Sequence, residues 1–390
     1  MITVDEALAR IFALCAPLST EKVPLAQAAG RVLAGPARAL RDQPPFAASA
    51  MDGYALSGPA SPGDSLRVVG EALAGHAFSG RIAPGEALRI FTGAPLPEGA
   101  DRVVIQEDVT RTDDRITLRE SPEANSHIRA AGQDFRAGDV MSAPRRLRPV
   151  DVGLLASMNI GEVSVTRRPL VAIIATGDEL VMPGEEPRPD QIVASNSFAI
   201  KAMVEAEGAA TRLLPIARDD EARLGAVLEM ARGADVIVTI GGASVGDHDL
   251  VAATSQGLGA EQAFYKIAMR PGKPLMAGRL FEGLMLGLPG NPVSAIVCAH
   301  LFLLPALRAL LGLGAWPAPT RSASLAEEVA ANGPRAHYMR ARLEPGGLIR
   351  PFANQDSALL GVLSEADALL IRPADDPARP QGHPARYIAL

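Results

Sequence analysis

The chain has 390 residues, of which 48% are hydrophobic, and its formal net charge is −6. A chain of this length is too long for one hydrophobic core, so we expect roughly two to four domains. The acidic balance argues against a general nucleic-acid or membrane-surface role, because proteins with those roles usually carry a basic excess.

The N-terminal residues and the cysteines indicate a compartment. Acidic side chains follow Met1 where a signal peptide needs positive charge, and no apolar run reaches the ~20 residues that span a bilayer. Cys15 and Cys298 lie far apart in apolar contexts, without the spacing of a zinc site. We therefore expect buried free thiols in a reducing cytosol and a cytoplasmic protein.

Two predicted helices open the chain. Apolar residues at helical spacing predict a helix at 4–14, with Thr3 as its N-cap and Glu6 completing a capping box. A second, shorter helix is expected at 25–33. A third helix is predicted much later, at 150–158.

Between these helices the sequence predicts a small all-β module at residues 46–139. Short β-like runs alternate there with Gly, Pro and Asp turns, at 65–69, 87–90, 102–106 and 115–118. The module would be an insertion between two segments that meet in space. Its turns carry isolated polar residues, namely Asp52, Thr92 and Asp134. Ordinary turn residues are the default interpretation, and a site that combines a hydroxyl with carboxylates is the alternative.

From residue 169 onward, strands and helices alternate regularly. Strands are predicted at 170–175, 211–216 and 236–240, and helices at 196–207 and 220–231. This alternation predicts a doubly wound parallel sheet with helices on both faces, whose ligands bind at the carboxyl ends of the strands. After a Pro-rich break at 316–319, short strands at 322–390 predict a small β-barrel.

Acidic side chains follow two of the predicted strands. Asp178 and Glu179 come after the strand at 170–175, and Asp219 and Asp220 end a strand-like segment. Helix-capping acids are the ordinary interpretation, and a metal or ribose site is the alternative. The polar segment 195–197 predicts an N-cap cluster before a helix.

The strand at 236–240 runs into a glycine-rich turn. Gly241, Gly242 and Gly246 allow positive φ, so that several backbone N–H groups can approach one anion. Asp247 and Asp249 would repel a bare anion, which makes them candidate magnesium ligands or partners of a cationic or hydroxylated group. An ordinary loop with helix-capping acids is the alternative.

Two further segments predict anion binding. Lys266, Arg270 and Lys273 form what we call the basic hook, in which a flat guanidinium fork and point charges suit a ligand with several oxygens. A predicted strand at 284–288 meets the turn 289–292, and a helix beginning near Val293 or Ser294 offers free N–H groups to an anion. A surface turn and a helix entry are the respective alternatives.

These segments together resemble the molybdopterin molybdenumtransferase family, the bacterial MoeA proteins and the gephyrin E domain. The resemblance rests on ordered motifs: SAMDGYA at 49–55, FTGAP at 91–95, TGDEL at 176–180, GGASVG at 241–246, RPGKP at 270–274 and GLPGNPVS at 287–294. Each motif alone is weak, whereas the ordered set is specific.

The resemblance implies a subunit with four parts. An elongated, helical dimerisation domain is expected at 1–45 and 140–168, and the inserted β domain at 46–139. The α/β domain, of the MogA/MoaB-like kind that binds molybdopterin, is expected at 169–318, and the β-barrel at 319–390.

The resemblance also implies a reaction. Members insert molybdate into adenylylated molybdopterin and release AMP, with magnesium assisting, in a homodimer whose cleft is shared between subunits. The adenylyltransferase of the same pathway is a further candidate partner, and neither nucleic acid nor a membrane is expected to take part.

Site residues follow from the same resemblance. Catalytic roles are implied for Asp52, Thr92, Asp134, Glu179, Asp219, Asp249, Lys266, Arg270 and Lys273. Substrate-binding roles are expected for Gly241, Gly242, Ser244, Gly246, Pro289, Asn291, Pro292, Ser294, Arg340 and Ser357. The expected magnesium ligands are Asp178, Glu179 and Asp249. Molybdate, a tetrahedral dianion, would take charge-assisted hydrogen bonds from Arg270, Lys273, Arg340 and Ser357.

Two other functions compete. A molybdopterin adenylyltransferase or a nucleotide pyrophosphatase could use the same α/β unit, but neither needs the long β module. A non-catalytic scaffold in the manner of gephyrin is the second alternative, and the intact acids and cations favour catalysis over it.

Overall fold

The computed structural model of the chain describes residues 1–121, 126–242 and 250–390. The N-terminal segment contains α1 (Val4–Ala13), β1 (Thr20–Pro24), β2 (Val32–Leu33) and β3 (Ala37–Arg38). The predicted cap of α1 is confirmed, because the Thr3 hydroxyl accepts from the Glu6 N–H at 3.1 Å and the Glu6 carboxylate accepts from the Thr3 N–H at 2.8 Å. Helix α1 buries Ala7, Leu8 and Ile11 in the core of the α/β domain.

The helix predicted at 25–33 is wrong. A single 3₁₀ turn, Leu25–Gln27, is followed by Gly30 at φ 74°, a backbone conformation that no helix continues through. Strand β2 then pairs with strands that come more than 100 residues later, at Arg145–Arg146 and Glu162–Thr166. This long-range pairing, rather than local periodicity, decides the conformation of the segment.

The β module consists of β4 (Ala48–Ser49), β5 (Gly53–Leu56), β6 (Ser65–Ala72), β7 (Glu86–Ile90), β8 (Arg102–Ile105), β9 (Val109–Thr112), β10 (Arg115–Leu118) and β11 (Ile128–Arg129). Six of them form one sheet in the order β8-β5-β7-β6-β10-β9. The strands predicted for this module are confirmed. Apolar side chains are buried on both faces of the sheet, with Tyr54 and Leu56 on one and Leu88 and Ile90 on the other.

The chain then returns beside the point where it left the N-terminal segment. This part contains β12 (Val140–Met141), β13 (Arg145–Arg146), α2 (Pro149–Ser157) and β14 (Glu162–Thr166). Strand β12 pairs with β3, and β1, β14, β2 and β13 form a four-stranded sheet. We keep the predicted boundaries, 1–45 and 140–168, and call these residues the elongated region after that prediction. Its helix α2 is the one predicted at 150–158.

The α/β domain contains β15 (Leu170–Ala175), β16 (Leu180–Val181), β17 (Ile192–Val193), α3 (Asn196–Ala206), β18 (Ala210–Leu213), α4 (Glu221–Glu229), β19 (Val236–Ile240), α5 (Leu250–Gly257), β20 (Glu261–Phe264), β21 (Met269–Arg270), β22 (Met276–Leu280), β23 (Gly283–Leu288), α6 (Pro292–Cys298) and α7 (Leu304–Leu310). The main sheet has the order β18-β15-β19-β23-β22-β20, with its first four strands parallel. The predicted alternation is therefore confirmed, and two antiparallel strands extend it.

Helices cover both faces of this sheet, as a doubly wound fold requires. Helix α3 packs Ile200 and Val204 on the face that also carries α1, α6 and α7. Helix α4 packs Leu224 and Leu228 on the opposite face, beside α5. Both thiols are free, that of Cys298 in α6 being buried and that of Cys15 half-buried. Burial raises the pKa of the Cys15 thiol to about 11.

One described helix is long and apolar enough to cross a membrane. It runs from Pro292 to Leu310 through a π-helical turn at Ala299–Leu303, with a mean hydropathy of 1.9. Because 89% of it is buried inside the protein, it has the features of a core helix.

The C-terminal segment contains β24 (Arg321–Leu325), β25 (Ala336–Glu344), β26 (Leu348–Pro351), α8 (Leu360–Ser364), β27 (Ala368–Arg372) and β28 (Pro384–Ala389). Its strands follow the order β25-β26-β24-β28-β27, and pairing of β27 with β25 closes them into a barrel, as predicted. Strand β21 of the α/β domain pairs with β25, so the basic hook lies at the junction between the two.

Candidate functional site

A cleft of about 1280 Å³ opens at the carboxyl edge of the parallel sheet. The last residues of β15, β19 and β23 are aligned there, since Ala175 pairs with Ile240 and Ile240 with Leu288. The loops that follow these strands therefore meet at one edge. Predicted site residues that line the cleft are Glu179, Asp219, Gly241, Gly242, Pro289, Asn291, Pro292 and Ser294.

The start of the glycine-rich turn forms one wall of the cleft. Gly241 and Gly242 have φ values of 94° and 67°. A Cβ on Gly241 would lie 2.7 Å from the Thr176 carbonyl oxygen, and one on Gly242 would lie 2.5 Å from a methyl group of Val251. Only glycine fits at either position. The rest of the predicted anion cradle, Ser244, Gly246, Asp247 and Asp249, lies outside the described residues.

The acidic side of the cleft is built around Arg218, which the sequence analysis missed. Its guanidinium donates to the carbonyl oxygens of Gly177, Asp178 and Leu180 at 3.3, 2.9 and 3.1 Å. The Asp219 N–H donates to the Asp178 carboxylate at 3.2 Å. These bonds place the loops after β15 and β18 side by side. The only sequence signal for Arg218 is its position before two predicted acids.

The helix-capping alternative holds for one acid of this group. Asp220 is the N-cap of α4, because its carboxylate accepts from the Arg223 N–H at 2.9 Å. The capping prediction for 195–197 is wrong, since the Ser195 side chain makes no capping bond and its backbone is already helical. Its neighbour Asn196 reaches across the cleft instead and donates to the Gly290 carbonyl oxygen at 2.7 Å.

The turn 289–292 is also joined to the barrel. The Asn291 side-chain amide donates to the Ser357 hydroxyl at 2.9 Å, and the Val293 N–H donates to the Ser357 carbonyl oxygen at 3.1 Å. Helix α6 begins at Pro292, close to its predicted start. The barrel thus brings Ser357 to the edge of the cleft, where two neighbouring barrel residues, Ala358 and Leu360, line it.

Arg340 holds the loop that presents Ser357. It is only 1% exposed, and it donates to the Asp356 carbonyl oxygen at 2.7 Å and to the Gln355 amide oxygen at 3.2 Å. The Gln355 amide in turn donates to the carbonyl oxygens of Arg340 and Phe352 at 2.9 and 2.8 Å. Direct contact between Arg340 and molybdate stays a prediction, and the burial of Arg340 does not support it. The hydrogen bonds indicate instead that Arg340 positions the loop that carries Ser357.

The basic hook lies beside the cleft rather than among its lining residues. Its turn is anchored at Gly272, which has φ 105° and where a Cβ would lie 2.4 Å from the Cys298 sulfur. Arg270 is exposed and pairs with His337 of β25. Burial, together with Arg270 and other nearby guanidinium groups, lowers the pKa of His337 to about 4, so this imidazole is neutral at pH 7.

The β module carries a separate polar pair. The Asp52 carboxylate accepts from both the N–H and the hydroxyl of Thr92, each at 2.7 Å. Asp134 is not part of this contact; its N–H donates to the Gln43 carbonyl oxygen at 2.9 Å. Among the described residues that line the cleft, none comes from the β module of the same subunit.

Metal-binding capacity is limited within the described part of the chain. No group of three His, Cys, Asp or Glu side chains that could hold a metal ion occurs in residues 1–121, 126–242 and 250–390. Asp178, Glu179 and Asp219 nevertheless supply carboxylate oxygens, the ligand type that Mg²⁺ prefers, at one edge of the sheet. The remaining predicted ligand, Asp249, lies outside the described residues.

Comparisons with known proteins agree with this architecture. Residues 2–159 match the MoeA N-terminal region (domain I and II), residues 172–309 match a probable molybdopterin binding domain, and residues 322–390 match the MoeA C-terminal region (domain IV).

Similar proteins match most of the chain. The molybdopterin molybdenumtransferase of Haemophilus influenzae is 37% identical over 84% of this chain and 82% of its own. Molybdopterin molybdenumtransferase 2 of Mycobacterium tuberculosis is 36% identical over 95% and 94%. The crystal structure of a molybdopterin biosynthesis MoeA protein from Pyrococcus horikosii superposes with a TM-score of 0.84, at 30% identity, over 100% of this chain and 99% of that one.

Proposed function

The chain belongs to the MoeA family, and from that premise we propose that it is a molybdopterin molybdenumtransferase of molybdenum cofactor biosynthesis. It inserts molybdate into adenylylated molybdopterin and releases AMP. The relatives that carry this name match most of the chain. The observation that carries the proposal is the cleft, where acidic side chains, a glycine turn and the turn 289–292 meet at one sheet edge.

The described residues suit the two substrates. A tetrahedral dianion such as molybdate takes charge-assisted hydrogen bonds, for which Arg270, Lys273 and Ser357 lie beside the cleft. The glycine turn at Gly241 and Gly242 lets substrate approach the backbone closely. Cleavage of the phosphoanhydride to AMP requires that the developing phosphate charge be neutralised, and fixed cations do this without reorganisation.

Magnesium belongs to the same proposal. When bound, it would supply positive charge that neutralises the phosphate oxygens of the anhydride. Asp178 and Glu179 would hold it through carboxylate oxygens, with Asp249 as the further ligand. Asp219, whose N–H donates to the Asp178 carboxylate at 3.2 Å, orients that ligand.

A homodimer with a shared cleft completes the site. Asp52 and Thr92 lie on the β module, which contributes no described lining residue to the cleft of its own subunit. This supports the proposal that a second copy delivers them. Exposed apolar side chains in the elongated region, Leu40, Val140 and Val150 at 66, 45 and 65% exposure, are candidates for the dimer contact.

The proposal includes a location and a partner. Two free thiols suit a reducing compartment, and we assign the protein to the cytoplasm. The adenylyltransferase that makes adenylylated molybdopterin is the candidate partner, because it supplies the substrate. The alternative functions of this chain, as an adenylyltransferase, a pyrophosphatase or a scaffold, are not favoured. The relatives that match most of the chain are named molybdopterin molybdenumtransferases.

Release of AMP tests the function. Purified protein is incubated with adenylylated molybdopterin and Mg²⁺, with and without molybdate, and AMP is quantified. We expect release that depends on molybdate, and loss of release in Glu179→Gln. The matched control is Glu185→Gln. The Glu185 carboxylate accepts from the Met182 N–H of its own turn. Release without molybdate would indicate a pyrophosphatase, and no release from the wild type would favour a scaffold.

A further inference from the structure

Arg89 is a half-buried cation that the sequence analysis did not single out. It lies in β7 opposite Tyr54 of β5. Its guanidinium carbon is 5.1 Å from the centre of the Tyr54 ring and 4.6 Å from that of Phe91. Cation–π contacts with both rings fix the position of the planar group.

The same guanidinium is hydrogen-bonded around the turn that carries Asp52. Arg89 donates to the Gly53 carbonyl oxygen at 3.2 Å and to the Gln106 amide oxygen at 2.7 Å. The Gln106 N–H donates to the Asp52 carbonyl oxygen at 3.1 Å. Two consecutive carbonyl groups of the turn are therefore hydrogen-bonded. Arg89 binds that of Gly53 directly, and Gln106, which Arg89 also contacts, binds that of Asp52.

Close backbone packing at Gly53 and two hydrogen bonds to Asp52 also restrict the turn. A Cβ on Gly53 would lie 2.0 Å from the Val104 carbonyl oxygen, so the backbone at Gly53 is pressed flat against β8. On the opposite side, Thr92 holds the Asp52 carboxylate through two hydrogen bonds. We therefore expect a change in Arg89 to alter the direction of the Asp52 carboxylate.

We propose that Arg89 is the positioning residue of the Asp52–Thr92 pair, and that its stacked, forked guanidinium sets the direction in which the Asp52 carboxylate faces substrate. The inference rests on the proposed function, in which Asp52 takes part in molybdenum transfer. Lysine cannot replace Arg89, because an ammonium group cannot stack on two rings while donating to Gly53 and Gln106 in fixed directions.

The main test compares Arg89→Lys with Arg67→Lys. Arg67 lies in the neighbouring strand β6 and pairs with Glu86 at 2.8 Å, away from the Asp52 turn. We expect both variants to keep the wild-type melting temperature within a few degrees. Arg89→Lys should lower kcat by about 10- to 100-fold with little change in KM for molybdate, since misplacement of a reacting group costs rate rather than ground-state affinity. Arg67→Lys should behave as wild type.

A double variant separates positioning from an independent role. If Arg89 acts through Asp52, Arg89→Lys in an Asp52→Asn background should cause no further loss of kcat. Losses that multiply would overturn the proposal. So would a folded Arg89→Lys variant whose kcat stays within twofold of the wild type.

A measurement without turnover keeps the proposal testable if the proposed reaction fails. The Asp52 carboxyl carbon is titrated by NMR in the wild type, in Arg89→Met and in Phe91→Leu, which keeps the charge but removes one ring of the stack. We expect a higher Asp52 pKa in Arg89→Met and a changed Asp52 carboxyl shift in Phe91→Leu. Unchanged titration curves in the folded variants would overturn the inference, whereas an inactive wild type with changed curves would contradict only the reaction.

Discussion

At the scale of single residues, the Asp52 carboxylate depends on Thr92. Two hydrogen bonds, from the Thr92 N–H and from its hydroxyl, hold the pKa of Asp52 below its ordinary value, and the nearby Arg89 adds to the effect. Because the folded pKa is depressed, the associated stabilisation is present above the unfolded pKa and is lost as the pH falls through the folded pKa. Asp52 is therefore ionised under all physiological conditions.

Thr92→Val tests this dependence. The change removes the hydroxyl donor and keeps the N–H donor, so the Asp52 pKa should rise towards its ordinary value. The acidic limb of the pH profile of kcat should then move to higher pH, while Thr92→Ser, which keeps both donors, should leave it in place. Equal profiles for the two variants would show that the hydroxyl does not control the ionisation of Asp52.

Whether a site residue can be recognised in the sequence depends on the groups that its side chain contacts. Asp52, Thr92 and Glu179 can be named as candidates from the sequence, because they lie in motifs whose residue types carry chemistry, and their roles stay predictions. Arg89 and Arg218 cannot, because each donates to backbone carbonyl groups that only the fold brings near. No periodicity or motif in a single sequence records such a partner.

At the scale of elements, α3 joins the α/β domain to the elongated region. Glu207, which ends this helix, accepts from Arg146 of the elongated region at 2.5 Å and from Arg308 of α7 at 2.8 Å. Its side chain is 11% exposed, so water screens the contacts only partly. One carboxylate therefore fixes how three elements meet.

Glu207→Gln should destabilise the protein by about 1–3 kcal/mol, because it leaves two partly buried guanidinium groups without their counter-charge. Chemical denaturation measures the change. Glu205→Gln is the matched control in the same helix, since Glu205 is 44% exposed and pairs with Lys201 and Thr211 at the surface. Its effect should stay below about 0.5 kcal/mol. Equal losses of stability in the two variants would contradict this role of Glu207.

Elements were predictable wherever local pattern and tertiary pairing agree. Strand β15 and helix α3 fall within a residue or so of their predicted ranges, since apolar runs and helical spacing match their burial. The helix predicted at 25–33 failed because the pairing of β2 with distant strands outweighs a weak local pattern.

At the scale of the whole molecule, the proposed homodimer would explain why no described residue of the β module lines the cleft of its own subunit. Asp52→Asn and Glu179→Gln should each lose most of the wild-type activity alone and keep only a small residual rate that can still be measured. In a shared cleft, a mixed dimer has one cleft with both changes and one with neither. Random exchange of equal amounts should therefore restore about a quarter of the wild-type activity. No recovery, with subunit exchange verified, would show that the cleft belongs to one subunit.

In the proposed reaction, this protein couples the insertion of molybdenum to the release of AMP. A single-turnover experiment tests it most directly: excess protein receives adenylylated molybdopterin, Mg²⁺ and limiting molybdate, and both AMP and pterin-bound molybdenum are quantified over time. We expect the two products to rise together in equal amounts and neither to form without molybdate. AMP released without incorporation of molybdenum would contradict it.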